Sequence, residues 1–158
     1  MVLMADYIHE MRALVGHRPM ILNTAAGALL DDDNRLLLQE RTDTGDWSFP
    51  GGYMEFGASF AETCQREYLE DAGLEVEPLK LLKLFDKDFY TYPNGDQTQL
   101  ITALYLVKQT GGQLLDHVTD ETKQVKYFAL DQLPPLFNEQ SNKMAQAVID
   151  EVQSWQEG

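Results

Sequence analysis

Cysteine is nearly missing from this chain. Cys64 stands alone, so no intrachain disulfide can form, and a reducing, cytoplasmic setting is expected. Positive charge is also scarce: 12 Lys and Arg stand against 26 Asp and Glu, a formal charge of −14. A chain this acidic repels phosphate backbones, which argues against a nucleic-acid polymer as partner. A small phosphorylated substrate remains open, provided a cation bridges it to the protein. No apolar run approaches the roughly 20 residues of a membrane span. The stretch Met1-Val2-Leu3-Met4-Ala5-Asp6 lacks the basic start and apolar core of a signal peptide. Repeats, low-complexity segments and long linkers are absent too. What remains, 44% hydrophobic and 24% charged over 158 residues, reads as one globular domain with room for a sizeable core.

Hydrophobic spacing divides the chain into short elements. Ile8, Met11, Leu14 and Val15 predict a helix from Asp6 to Val15, stopped at Gly16. Ile21 to Leu30 reads as a buried strand and Arg35 to Arg41 as a second. Between them Asp31-Asp32-Asp33-Asn34 suits a hairpin turn better than a metal site. Thr42 to Gly57 is glycine-rich and irregular. Ser59 to Ala72 is the best helix, with Ser59 and Glu62 forming a capping box and Gly73-Leu74 a left-handed stop with its hydrophobic anchor. Glu75 to Asp86 and Thr98 to Lys108 are strand-like, separated by the Asn94-Gly95 turn signal. Val125 to Leu130 is a short strand. From Asn138 onward a final helix carries Met144, Val148, Val152 and Trp155 on one stripe. Strands mixed with few helices, with clear hairpins, predict an α/β (α+β) architecture: a mixed sheet packed by helices on its faces.

Chemistry concentrates on the central helix. Glu67, Glu70 and Asp71 stand at i, i+3 and i+4, so their carboxylates share one face. Like charges at this spacing repel, and near a helix C-terminus the dipole disfavours them further. A cation removes both penalties, and hard oxygen ligands suit Mg²⁺, with Mn²⁺ as substitute. Acidic helix faces are ordinarily just solvated. Here a Gly-Gly turn and a short loop before the capped helix bring backbone groups beside the acids, which gives the irregular segment a reason to exist.

The segment Gly52 to Leu74, GYMEFGASFAETCQREYLEDAGL, resembles the Nudix box, G-x5-E-x7-R-E-U-x-E-E-x-G-U with U bulky and apolar. Gly52, Arg66-Glu67, Glu70-Asp71 and Gly73-Leu74 match at the required spacing, and Trp47-Ser48-Phe49-Pro50-Gly51-Gly52 is similar to the family's lead-in. Two positions depart: Ala58 replaces the first box Glu, and Asp71 replaces the last, one methylene shorter. The resemblance implies an α/β/α sandwich over residues 1–158, with a helical extension at 1–18 and the box at 52–74. It implies a pyrophosphohydrolase whose metal sits on Glu67, Glu70, Asp71 and the Gly51 carbonyl, with Arg66 bracing the carboxylates and Gly52 shaping the turn. Family members often add a later acidic residue, and Glu121 fits that place; Glu55 lies near enough to Ala58 to substitute in part. Glu67 and Glu70 are the expected catalytic acids, with Glu67 first candidate for the general base and Glu121 second.

Arg41, at the end of a strand leading into the loop, is expected to meet substrate phosphate. Trp47 is a candidate for stacking on a base, although a Trp before a tight turn is more often core. Tyr90 and Tyr92 flank the hairpin turn and suit a pocket or an interface. His117, a lone loop histidine, reads as exposed. The favoured substrate is a nucleoside diphosphate linked to another group, ADP-ribose-like or dinucleotide. The alternatives are a nucleoside triphosphate, oxidised forms included, and a non-hydrolytic nucleotide sensor. A homodimer is expected from the apolar stripe on the N-terminal helix.

Overall fold

In the computed structural model, which describes residues 6–157, helix α1 (Tyr7–Val15) is capped by the Asp6 carboxylate and closed at Gly16, where φ is 65°. The first five positions of the expected N-terminal extension lie outside the described residues. Strands β1 (Met20–Leu29) and β2 (Leu36–Arg41) follow, joined by a turn in which Asp31 Oδ1 accepts the backbone N–H of Asp33 and of Arg35. The triple Asp is therefore turn chemistry, as its spacing suggested. Two short strands, β3 (Trp47–Ser48) and β4 (Gly51–Tyr53), lie inside the segment read as irregular. Their length carries no periodic signal; they exist because β2 and β1 offer them partners.

Helix α2 (Phe60–Ala72) begins in the expected capping box: Ser59 Oγ accepts the Glu62 N–H at 3.0 Å, and Glu62 Oε1 accepts the Ser59 N–H at 2.9 Å. Such a cap contributes about 1 kcal/mol. Gly73, at φ 79°, donates its N–H to Leu69 O and ends the helix. Strands β5 (Leu74–Thr91) and β6 (Gln97–Gly112) form a hairpin longer than the sequence indicated. Register shifts interrupt β5 at four places, which breaks its period-two pattern without ending its pairing. Strand β7 (Thr122–Phe128) and helix α3 (Glu139–Glu157) complete the chain.

The strands form two sheets: a mixed one ordered β4-β1-β6-β5, with β1 and β6 parallel, and an antiparallel one ordered β3-β2-β7. Alternation assigns each face a helix. Ala25, Leu29 and Leu37 pack with Cys64, Tyr68 and Ala72 of α2. Ala26, Ala28, Leu36 and Leu38 pack with Met144, Ala145, Val148 and Val152 of α3. The result is an α/β/α sandwich, each buried Leu contributing about 1.5–3 kcal/mol. Gly27 lets α2 approach: a Cβ there would stand 2.6 Å from the Tyr68 ring, whose hydroxyl donates to Gly27 O. Trp155 lies on the expected stripe but near the helix end, where it is half exposed, with its indole N–H on Glu151.

Candidate functional site

The last two turns of α2 face β4 and the start of β7. Along a helix of about 100° per residue, Glu67 lies between Asp71 on one side and Glu70 on the other. Asp71 turns inward and is 2% exposed, Glu67 is 8% exposed, and Glu70 is exposed. Glu121, just before β7, completes a group with Glu67 and Asp71: one carboxylate oxygen from each lies within 4.8 Å of the others. Glu70 is outside this trio; its carboxylate stands 3.8 Å from Arg66 Nε on the rim of the same cavity. Three acids on one helix face thus do not converge equally, because their directions fan across about 100°.

The surrounding backbone holds the group. Gly51 donates its N–H to Asp71 Oδ2 at 3.1 Å. A Cβ on Gly52 would run into the Glu67 carboxylate, so only glycine lets β4 lie this close. Arg66 Nη2 donates to Glu67 Oε2 at 2.7 Å and to Tyr53 O at 2.8 Å. Glu55 accepts the Tyr7 N–H at 3.0 Å and adds negative charge near Arg66. Glu121 is positioned from below: Thr122 Oγ1 donates to Asp71 O at 2.9 Å and accepts from Gln39 Nε2 at 2.8 Å.

Burial pushes the Glu67 carboxyl up to about 7; Arg66 pulls the other way, and Glu70 and Glu121 reinforce the rise. Burial likewise holds Asp71 well above the usual carboxylate range, with Glu67 and Glu121 adding to it and the Gly51 N–H opposing. Asp71 Oδ1 is buried and has no hydrogen-bond partner among the described residues. An orphan carboxylate oxygen beside two other acids is costly unless a proton or a cation takes it, and an all-oxygen donor set fits Mg²⁺ or Mn²⁺.

These carboxylates line a cavity of about 870 Å³. Arg41, Asp43, Tyr53, Tyr92 and Phe137 line the same cavity. Arg41 gives Nε and Nη2 to the two oxygens of Asp43, at 2.9 and 2.7 Å, and its guanidinium carbon lies 3.8 Å from the Phe137 ring centre. Trp47 is not among the lining residues. Its ring meets Phe128 edge-on at 4.8 Å in the α3-side core, and its carbonyl accepts the Phe137 N–H.

A family model described as the NUDIX domain matches residues 21–148. The chain belongs to the Nudix family. Among its Nudix relatives, an ADP-ribose pyrophosphatase of Methanocaldococcus jannaschii is 29% identical over 116 residues, covering 71% of this chain and 64% of that protein. An 8-oxo-dGDP phosphatase of Mus musculus is 35% identical over 88 residues, covering 54% of this chain and 24% of its own length. The chain thus spans less than two thirds of either relative. The crystal structure of an ADP-ribose pyrophosphatase from Streptococcus suis matches with a TM-score of 0.65 and 26% identity, covering 82% of this chain and 91% of that one.

Within the Nudix box, Ala58 leaves its missing carboxylate unreplaced at that position; its N–H bonds to Glu55 O, and the Glu55 side chain takes up the helix α1 contact. Several residues at the site carried no local signal. Gln39 and Thr122 are ordinary strand residues until β2 and β7 pair. Phe137 and Tyr53 reach the cavity from a loop and a three-residue strand. Tyr92 does line the cavity, whereas Tyr90 packs on Tyr92 and Phe137. His117 is exposed beside Asp116.

Proposed function

We propose that this Nudix protein is a divalent-metal-dependent hydrolase that splits the diphosphate linkage of a nucleoside diphosphate joined to another group. The observation that carries the reading is the convergence of Glu67, Asp71 and Glu121, with a buried Asp71 oxygen that has no partner among the described residues, in the wall of a nucleotide-sized cavity. Glu67, Asp71, Glu121 and the Gly51 backbone would hold Mg²⁺ or Mn²⁺, with Glu70 at the rim as a further acid. The chemistry such a cation supplies is positive charge against the diphosphate oxygens, which the acids alone would repel.

The residues then divide the work. Arg66, tied to Glu67 and Tyr53 O, keeps that carboxylate oriented and does not approach the substrate. In hydrolysis a water oxygen bonds to one phosphorus, the bridging oxygen leaves with the other phosphate, and the water's proton passes to a carboxylate. Glu67 is the first candidate to take that proton, Glu121 the second. Arg41 meets the substrate in the same cavity. The products are a nucleoside monophosphate and a phosphorylated remainder.

ADP-ribose-like and dinucleotide compounds are the favoured substrates, in line with the relatives named ADP-ribose pyrophosphatase. The mouse relative supports a second reading, an oxidised nucleotide. Release of monophosphate and phosphate from a nucleotide panel with Mg²⁺ or Mn²⁺ separates the two; no turnover across the panel leaves a nucleotide sensor. A cytoplasmic homodimer completes the proposal, supported by the buried reduced Cys64 and by exposed apolar residues including Leu14 on α1 and Phe89 on β5. Light-scattering mass decides the dimer.

A further inference from the structure

We infer that Arg41 serves this site as a flat shelf on which the substrate's base stacks; this rests on the nucleotide hydrolase reading above. An arginine grips a phosphate with two parallel N–H groups along one edge of the guanidinium. On Arg41 the side-on edge is already spent on Asp43, whose two oxygens take Nε and Nη2. Asp43 also cancels the charge that would draw a phosphate. What remains is the end-on fork, Nη1 with the second Nη2 hydrogen, and the plane. One face of it lies over Phe137 at 3.8 Å, and Phe137 is backed in turn by Tyr90, ring centres 4.9 Å apart. The Phe137 N–H bonded to Trp47 O ties this stack to β3.

Arg41 lines the cavity and its side chain is 25% exposed, so the layered support leaves surface towards the interior. A guanidinium held rigid on an aromatic ring, with its charge balanced in plane, presents the flat polarisable surface on which nucleobases stack. Stacking reads the π-face and not the hydrogen-bonding edge, so the base is tolerated broadly. The cavity then carries two tasks: acids for the diphosphate, a plane for the base.

Steady-state kinetics of Arg41→Lys and Arg41→Ala on three probes test the shelf: ADP-ribose, a uridine diphosphate sugar, and 5-phosphoribosyl 1-diphosphate, which has a diphosphate but no base. Both substitutions are expected to raise KM about tenfold on the two base-bearing probes, with kcat little changed and a much smaller loss on the base-free probe. Lysine keeps the charge and loses the plane, so rescue by Arg41→Lys overturns the shelf, as does an equal loss on all three probes. If the wild-type protein turns over none of them, the hydrolase reading fails, and calorimetry tests the shelf separately. AMP should then bind more tightly than ribose 5-phosphate, and Arg41→Lys should erase the difference. Equal affinity of the wild type for both overturns the inference.

Discussion

The two sets of residues that line the cavity are built differently. The acidic set comes mostly from one contiguous stretch, Gly51 to Asp71, in which helix geometry and a glycine turn place the groups. The other set draws Arg41 from β2, Tyr53 from β4, Tyr92 from the hairpin turn and Phe137 from the chain before α3. A charge cluster can be encoded locally because i and i+4 meet on any helix. A shaped, flat surface needs several elements to converge, so its parts are scattered and individually unremarkable.

The sharpest test of the acidic set is Glu67→Gln. Turnover should fall by about 10³-fold, since the change removes both a cation ligand and the candidate base, and calorimetric Mn²⁺ uptake should weaken. Retained turnover in a folded variant would break the assignment. Next comes the linkage of metal, pH and stability. Burial raises Glu67 from 4.5 to about 7, and Asp71 shifts the same way. A raised carboxyl favours the protonated folded state, so this contribution to stability is present at low pH and is lost as pH climbs from 4.5 to about 7. Thermal melts without metal should show that decline. Added Mg²⁺ should raise Tm more at pH 8 than at pH 5, and an equal gain at both would count against these groups as ligands.

Smaller effects separate the elements that support the cluster. Thr122→Val removes the hydroxyl between Gln39 and the Asp71 carbonyl. It should cost about 1–3 kcal/mol in denaturant melts and weaken Mn²⁺ uptake through a displaced Glu121, with Thr122→Ser close to wild type. Glu70→Gln is the finest test. Sequence spacing alone ranks Glu70 with Glu67, and predicts a loss of orders of magnitude. Its exposed place outside the trio predicts a smaller one, roughly tenfold. Equal loss in the two variants would restore the equivalence that the spacing suggested.

Much of the frame was legible from residues alone. Ser59-x-x-Glu62, Gly73 and Asn94-Gly95 marked a helix start, a helix stop and a hairpin, because caps and turns are settled within a few residues. Strands β3 and β4 and the far reaches of β5 were not, since short or bulged strands depend on partners distant in sequence.

The sequence by itself determined the Nudix box, its capped helix, and an acidic face in need of a cation, all consequences of backbone geometry over a few turns. Only the tertiary structure decided which acids converge, bringing Glu121 to Glu67 and Asp71 and leaving Glu70 at the rim. Only it laid Arg41 on Phe137 with its edge given to Asp43. The reason is range: a helix sets directions around its own axis, whereas meeting points between elements are set by how sheets and helices pack.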